Sequence, residues 1–303
     1  MKLSLPKSVG EKRNFRNGIL FATPWLIGIT VFGIYPILSS LYYSLCSYDG
    51  IRSPRFVGLH NYHKLFFEDE LFFKSLLNTF YMVAVGVPLS LISGLSIALL
   101  LNQKVKGIAI YRTIYYLPSV VPVIASTILW LWLLNPDIGL INIGLSHLGI
   151  KNPPAWLGDP FWSKPALIIM SLWGVGGGMV IYLAALQNVS ETLYEAASLD
   201  GAAIIAKFRH VTLPMITPVI LFNLITSLIG SFQYFTEAYV MTSGGPQDST
   251  TFYALHLFNA AFQDFHMGVA SAMAWVLFVI TLGCALVVFK SSLKWVYYDG
   301  EIK

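Results

Sequence analysis

The sequence predicts an all-α integral membrane fold with six transmembrane helices, and three observations carry that expectation. First, 56% of the 303 residues are hydrophobic and only 11% are charged, with a mean hydropathy of +0.66. A soluble domain carries about 25% charged residues, so this chain has too few to solvate the surface of a globule, and lipid must cover much of it. Second, six long stretches contain no Asp, Glu, Lys, Arg or His. Third, Lys and Arg are distributed unequally between alternate connecting segments.

Each charge-free stretch supplies the ~20 apolar residues that a helix needs to cross hydrocarbon. Within lipid the backbone must satisfy its own hydrogen bonds, which a helix does. The spans fall at about residues 18–46 (TM1), 76–101 (TM2), 113–134 (TM3), 165–187 (TM4), 214–236 (TM5) and 268–289 (TM6). No small-residue cleavage site follows TM1, so it reads as an anchor that stays in the membrane. Lys2, Lys7, Lys12, Arg13 and Arg16 precede TM1; Lys104, Lys106 and Arg112 flank TM2 and TM3; Lys207 and Arg209 precede TM5; Lys290, Lys294 and Lys303 follow TM6. Those 13 positives face six on the other side: Arg52, Arg55, Lys64, Lys74, Lys151 and Lys164. The positive-inside rule then puts both termini in the cytoplasm. Trp25, Trp156, Trp162 and Tyr297 suit the membrane interfaces.

Several function classes lose support here. Cys46 and Cys284 sit in apolar runs at a spacing that fits no metal motif. The six histidines are scattered, no catalytic cluster is visible, and no Gly-x-x-x-x-Gly-Lys-Ser/Thr run exists to bind ATP. Nothing implies a nucleic-acid partner. Ion-coupled carriers usually hold ionisable residues at membrane depth, and no span does. Glu237, just past TM5, is the one candidate, and an interfacial position accounts for it equally well. Energy for any transport would therefore come from another subunit.

The segment 190–213, between TM4 and TM5, carries the most information. Ser190 can cap a short helix with Glu191 in its first turn. Gly201 can stop that helix and turn the chain. Asp200 can then cap a second helix from 202 to 210, on which Ile204, Phe208 and Val211 share one face. Two readings are open for this helix–turn–helix: an amphipathic connector at the interface, or a surface presented to a partner.

Two spans carry polar or small residues in a pattern. In TM5, Asn223, Ser227, Ser231 and Tyr234 share one helix face, with Gly230 beside them. Hydroxyls, an amide and a ring suit a sugar; small polar residues also serve as glue between helices. In TM4, Trp173-Gly174-Val-Gly176-Gly177-Gly178 is a run of glycines. Such a run can break a helix and open a cavity, or let another element pack closely.

Glu195-Ala196-Ala197-x-x-Asp200-Gly201, closed by Leu213-Pro214, resembles the EAA loop of ABC-importer permeases. The resemblance extends along the chain through Phe56-Val-Gly-Leu-x-Asn61-Tyr, Arg112-Thr-x-x-Tyr-x-Leu-Pro118, Trp130, Asn135-Pro-Asp-x-Gly139 and Met241-Thr-x-Gly-Gly-Pro246. It is nearest to the larger permease subunit of the maltose/glycerol-phosphate-type sugar importers. The chain lacks that subunit's two further N-terminal helices and large periplasmic insertion, so the resemblance does not carry maltose as substrate. It implies a type I ABC importer permease fold in a bacterial or archaeal cytoplasmic membrane. It also implies a second permease subunit, two ATPase subunits that bind ATP and Mg, an extracytoplasmic solute-binding protein, and a sugar or oligosaccharide cargo. Glu195, Ala196, Ala197, Asp200, Gly201, Phe208, Leu213 and Pro214 would then couple to the ATPase. The polar face of TM5 and the glycine run of TM4 would line the pathway. No catalytic residue, metal or cofactor is implied in this chain.

Overall fold

The computed structural model describes residues 9–103 and 105–297, so Lys2, Lys7, Lys104 and Lys303 of the orientation argument lie outside the described residues. The chain is mostly helical. The helices are α1 (Val9–Ile29), α2 (Tyr35–Ser44), α3 (His60–Phe67), α4 (Glu70–Tyr81), α5 (Val87–Leu101), α6 (Ile108–Tyr116), α7 (Val123–Leu133) and α8 (Leu140–His147). They continue with α9 (Ser163–Trp173), α10 (Gly176–Gln187), α11 (Glu191–Leu199), α12 (Ile204–Lys207), α13 (Leu213–Phe232), α14 (Thr236–Met241), α15 (Tyr253–Phe258) and α16 (Met267–Ser292).

Four continuous helices are long and apolar enough to cross a membrane: Lys12–Ser44, Glu70–Leu101, Ile204–Met241 and Met267–Ser292. Two further candidates are bent pairs. Ile108–Val120 meets Val123–Leu133 at 99°, and Ser163–Trp173 meets Gly176–Gln187 at 47°. Among the described residues there are thus four such helices, or up to six if each bent pair is one span.

Proline explains why three of the long helices change pitch. Pro36, Pro88 and Pro214 each follow a π-helical turn, at Thr30–Ile34, Met82–Gly86 and Phe208–Thr212. A proline has no amide to donate, and its ring clashes with the carbonyl four residues back. In each case that carbonyl, of Phe32, Ala84 or His210, lies inside the widened turn. The wider turn absorbs the clash and the helix continues.

Two compact units are distinguished, Met1–Phe66 with Ala260–Trp275, and Phe67–Asn259 with Val276–Lys303. In the first, strands β1 (Cys46–Ser47) and β2 (Arg55–Phe56) pair antiparallel, with Cys46 opposite Phe56. Asn61 is buried there and donates to the carbonyls of Ser44 and Cys46, both at 2.8 Å. It therefore satisfies orphan carbonyls at the end of α2. Tyr62 adds a 2.9 Å bond to the Ser44 hydroxyl. The Phe56–Tyr62 motif is thus a clasp at the end of the first helix. Gly268 packs on the Cys46 carbonyl, and its amide donates to Tyr48 at 3.0 Å.

In the second unit, α5, α10 and α13 share a core of Ala98, Leu101, Met179, Tyr182, Leu183, Leu186 and Ile216. Gly94 lets the Tyr182 ring approach α5, 3.6 Å from where a methyl would sit. A second core gathers Trp130, Leu134, Trp156, Leu167, Ile168, Ala238, Met241 and Phe252. Asn78 binds the turn after α14 through the carbonyls of Asp248 (2.8 Å) and Thr251 (3.1 Å), and accepts from Lys164 at 3.0 Å. His256 meets Asp69 at 2.7 Å. Gly244, at φ +93°, faces Thr251 so closely that a methyl would lie 2.5 Å from its hydroxyl. Two motifs of the sequence, around Asn135–Gly139 and Met241–Pro246, are therefore turns with local structural reasons. The Asn135 carboxamide accepts from the amides of Asp137 (2.9 Å) and Ile138 (3.1 Å).

Candidate functional site

The segment after α10 forms two helical arms joined by a tight turn. Ser190 caps α11, accepting from the Thr192 amide at 3.3 Å, and Glu191 stands in the first turn. At the other end, the Gly201 amide donates to Ser198 (3.1 Å) and the Ala202 amide to Ala197 (2.9 Å). That pair of bonds is a Schellman motif, which needs a left-handed residue at its centre. Gly201 supplies it at φ +74°.

The second arm differs from the sequence expectation. Ala203, not Asp200, stands at the N-cap of α12, and no side chain caps it. Asp200 instead ends α11 and is exposed. The arm runs through a π turn into α13 and makes one continuous helix, Ile204–Met241. Pro214 at the start of α13 explains why the sequence suggests a break there. Tyr194 and Thr212 join hydroxyls at 2.9 Å, and Lys207 donates to Ser198 at 2.7 Å, so the two arms are held together.

What the arms leave uncovered is specific. Glu195 and Ala196 are exposed on α11, and among the described residues Glu195 makes no ion pair. Leu199 is 91% exposed, Ile204 86% and Ile205 80%. Ala197, Phe208, Leu213 and Pro214 are half-buried. Between the arms and the end of α5 lies a groove of about 730 Å³, lined by Leu99, Asn102, Gln103, Tyr194, Ile205 and Phe208. The surface thus offers apolar side chains beside the Glu195 carboxylate, unpaired among the described residues.

The residues read as a pathway separate into two groups. Trp173 and Gly174 line a cavity of about 270 Å³ where α6 turns into α7 and α9 turns into α10. Ser119, Ser126, Ser171 and Glu237 complete its polar wall. The TM5 face runs along α13, and its last member, Tyr234, stands beside Ser171 and Glu237 of that wall. Asn223 is buried and donates to the Val219 carbonyl at 3.1 Å. Gly178 abuts it, while Gly177 and Gly230 have open space where a methyl would be. Ser227 and Ser231 are half-buried. Tyr234 packs edge-on against Phe252 at 5.3 Å, and its hydroxyl is buried without a well-formed hydrogen bond.

Gly176 is the glycine of that run that makes the tight contact. A methyl there would lie 2.5 Å from the Tyr115 carbonyl oxygen. Sequence reasoning missed the three serines, because a single hydroxyl in an apolar helix carries no spacing signal. Among the described residues no group of three or more His, Cys, Asp or Glu could hold a metal ion.

Comparison with known proteins bears on the whole chain. The family model described as "Binding-protein-dependent transport system inner membrane component" matches residues 86–297. The chain is 41% identical over 301 residues to the probable ABC transporter permease protein YesP of Bacillus subtilis (strain 168), covering 98% of this chain and 97% of that protein. It is 40% identical over 278 residues to the lactose transport system permease protein LacF of Rhizobium radiobacter, covering 90% and 92%. A chain from the crystal structure of a bacterial alginate ABC transporter in complex with alginate pentasaccharide-bound periplasmic protein matches with a TM-score of 0.81 at 23% identity, covering 93% of this chain and 96% of that one.

Proposed function

The chain belongs to the binding-protein-dependent transport system inner membrane components, and from that membership we propose that it forms half of the pathway of an ATP-driven importer for a sugar or oligosaccharide. It is a multi-pass membrane protein and a transport permease. The observation that carries the reading is the family match over residues 86–297, which takes in both the Gly201 turn and the cavity at the helix breaks. A sugar cargo draws support from the lactose permease relative and the alginate importer of the same fold.

In this reading each bent pair is one span, giving six, and both termini are cytoplasmic in a bacterial or archaeal inner membrane. The segment 190–213 faces the ATPase, with Glu195, Ala196, Ala197, Asp200 and Gly201 on the first arm and turn, and Phe208, Leu213 and Pro214 on the second. ATP and Mg stay on that partner. Two ATPases, a second permease and an extracytoplasmic binding protein complete the importer. Trp173 and Gly174 line the pathway through their cavity, and Gly177, Gly178, Asn223, Ser227, Gly230, Ser231 and Tyr234 form its flank. Helix breaks suit this role, because irregular backbone within a membrane is tolerated where it lines a cavity.

Purification of the tagged chain from native membranes in mild detergent tests the reading. It should bring a second permease and an ATP-hydrolysing subunit in stoichiometric amounts, and vesicles holding the complex should accumulate sugar only with ATP. A chain that purifies alone and drives uptake from an ion gradient would contradict it.

A further inference from the structure

The cavity at the helix breaks is lined by one carboxylate, three serines and no cationic side chain. Ser119 already donates its proton to the Tyr116 carbonyl (2.7 Å), and Ser171 donates to the Leu167 carbonyl (2.9 Å). Each hydroxyl is left with lone pairs to offer and no proton. Glu237 adds carboxylate oxygens, which accept only. No Lys, Arg or His lines the cavity, and among the described residues Glu237 makes no ion pair. Ser126 keeps a hydroxyl proton and Trp173 an indole N–H, so the wall holds both acceptors and donors, and Glu237 is its one charged side chain. Trp173 supplies a ring face beside it.

Such a wall suits the hydroxyls of a neutral saccharide, each of which both donates and accepts. A uronate or a sugar phosphate brings instead an acceptor-only anion, which would meet Glu237 in a partly dehydrated space where like charges repel strongly. We infer that this cavity selects neutral saccharides, with Glu237 accepting from a sugar hydroxyl and rejecting saccharides that carry a carboxylate or phosphate. The inference rests on the reading of the cavity as part of the sugar pathway. It sets this chain apart from the alginate importer it resembles in fold, whose cargo is an acidic polysaccharide. A purely structural role for Glu237, in the first turn of α14, predicts no such discrimination.

The test uses the full chain in native membrane vesicles, with Cys46 and Cys284 replaced by alanine and Val123→Cys as reporter. Val123 is on the cavity wall and exposed. The rate of alkylation by an uncharged maleimide is followed with cellobiose, lactose or cellobiouronate present. Protection by a neutral disaccharide at a concentration at least about tenfold below that needed for cellobiouronate is expected. Glu237→Gln should abolish the difference, since glutamine keeps the shape and removes the charge. Equal protection with Glu237 in place, or a difference that survives Glu237→Gln, overturns the inference and leaves the pathway reading intact. No protection by any of the three saccharides overturns the pathway reading itself.

Discussion

Asn223 and Gly178 meet across α13 and α10. The Asn223 carboxamide oxygen lies 3.4 Å from where a methyl at Gly178 would be, while its amide donates to Val219 one turn back. A pair read from sequence as lining a path is also a contact between helices. Gly178→Leu should wedge those helices apart and cost about 1–3 kcal/mol, as overpacking does. The check is a lowered thermal midpoint in detergent, and Gly178→Ala should lie between it and the native protein.

Further along the same helix the outcome reverses. Ser231 is half-buried, and Gly230 beside it has no atom within 4 Å of an added methyl. Ser231→Trp should therefore keep the native thermal midpoint and amount in the membrane, yet block sugar uptake by filling the path. Transport at the native rate would make this face packing throughout.

The glycine run supplies a matched pair. Gly176→Ala places a methyl 2.5 Å from the Tyr115 carbonyl oxygen and 2.9 Å from the Tyr116 Cα, both backbone atoms that yield little. Gly177→Ala meets nothing within 4 Å. The first should lower the thermal midpoint clearly, and the second should leave it near native or raise it slightly by its better helix propensity.

Orientation is tested by single cysteines at Lys207 and Lys151 in a background without Cys46 and Cys284. An impermeant thiol reagent added to sealed cells should label position 151 and leave position 207 unlabelled until the membrane is opened. Labelling of 207 from outside would reverse the topology.

The apolar runs made the helices legible, because crossing hydrocarbon demands length and freedom from charge over some 20 residues. Direction is a different property. The 99° turn at Val120–Val123 depends on Pro118 and Pro122 in local geometry, and a composition window does not register it. Pitch is equally hidden: the π turn before Pro214 joins two elements that the sequence separates. The Gly201 turn was legible because few residues other than glycine accept φ +74°. Glu237 was not, since a carboxylate at the end of a span looks alike at an interface and on a cavity wall.

The exposed first arm of segment 190–213 is proposed as the chain's attachment to an ATPase. Glu195 carries it most directly, being exposed, unpaired among the described residues, and flanked by bare Leu199. A partner's basic group beside it would form a charge pair worth about 1.5 kcal/mol or more once desolvated. The decisive measurement is the amount of ATPase subunit that purifies with tagged Glu195→Lys, alongside Gly201→Asp, which forces a Cβ into the left-handed turn. Both variants are expected at native levels in the membrane, without the co-purifying ATPase and without ATP-dependent uptake. Full ATPase association and transport by Glu195→Lys would contradict it.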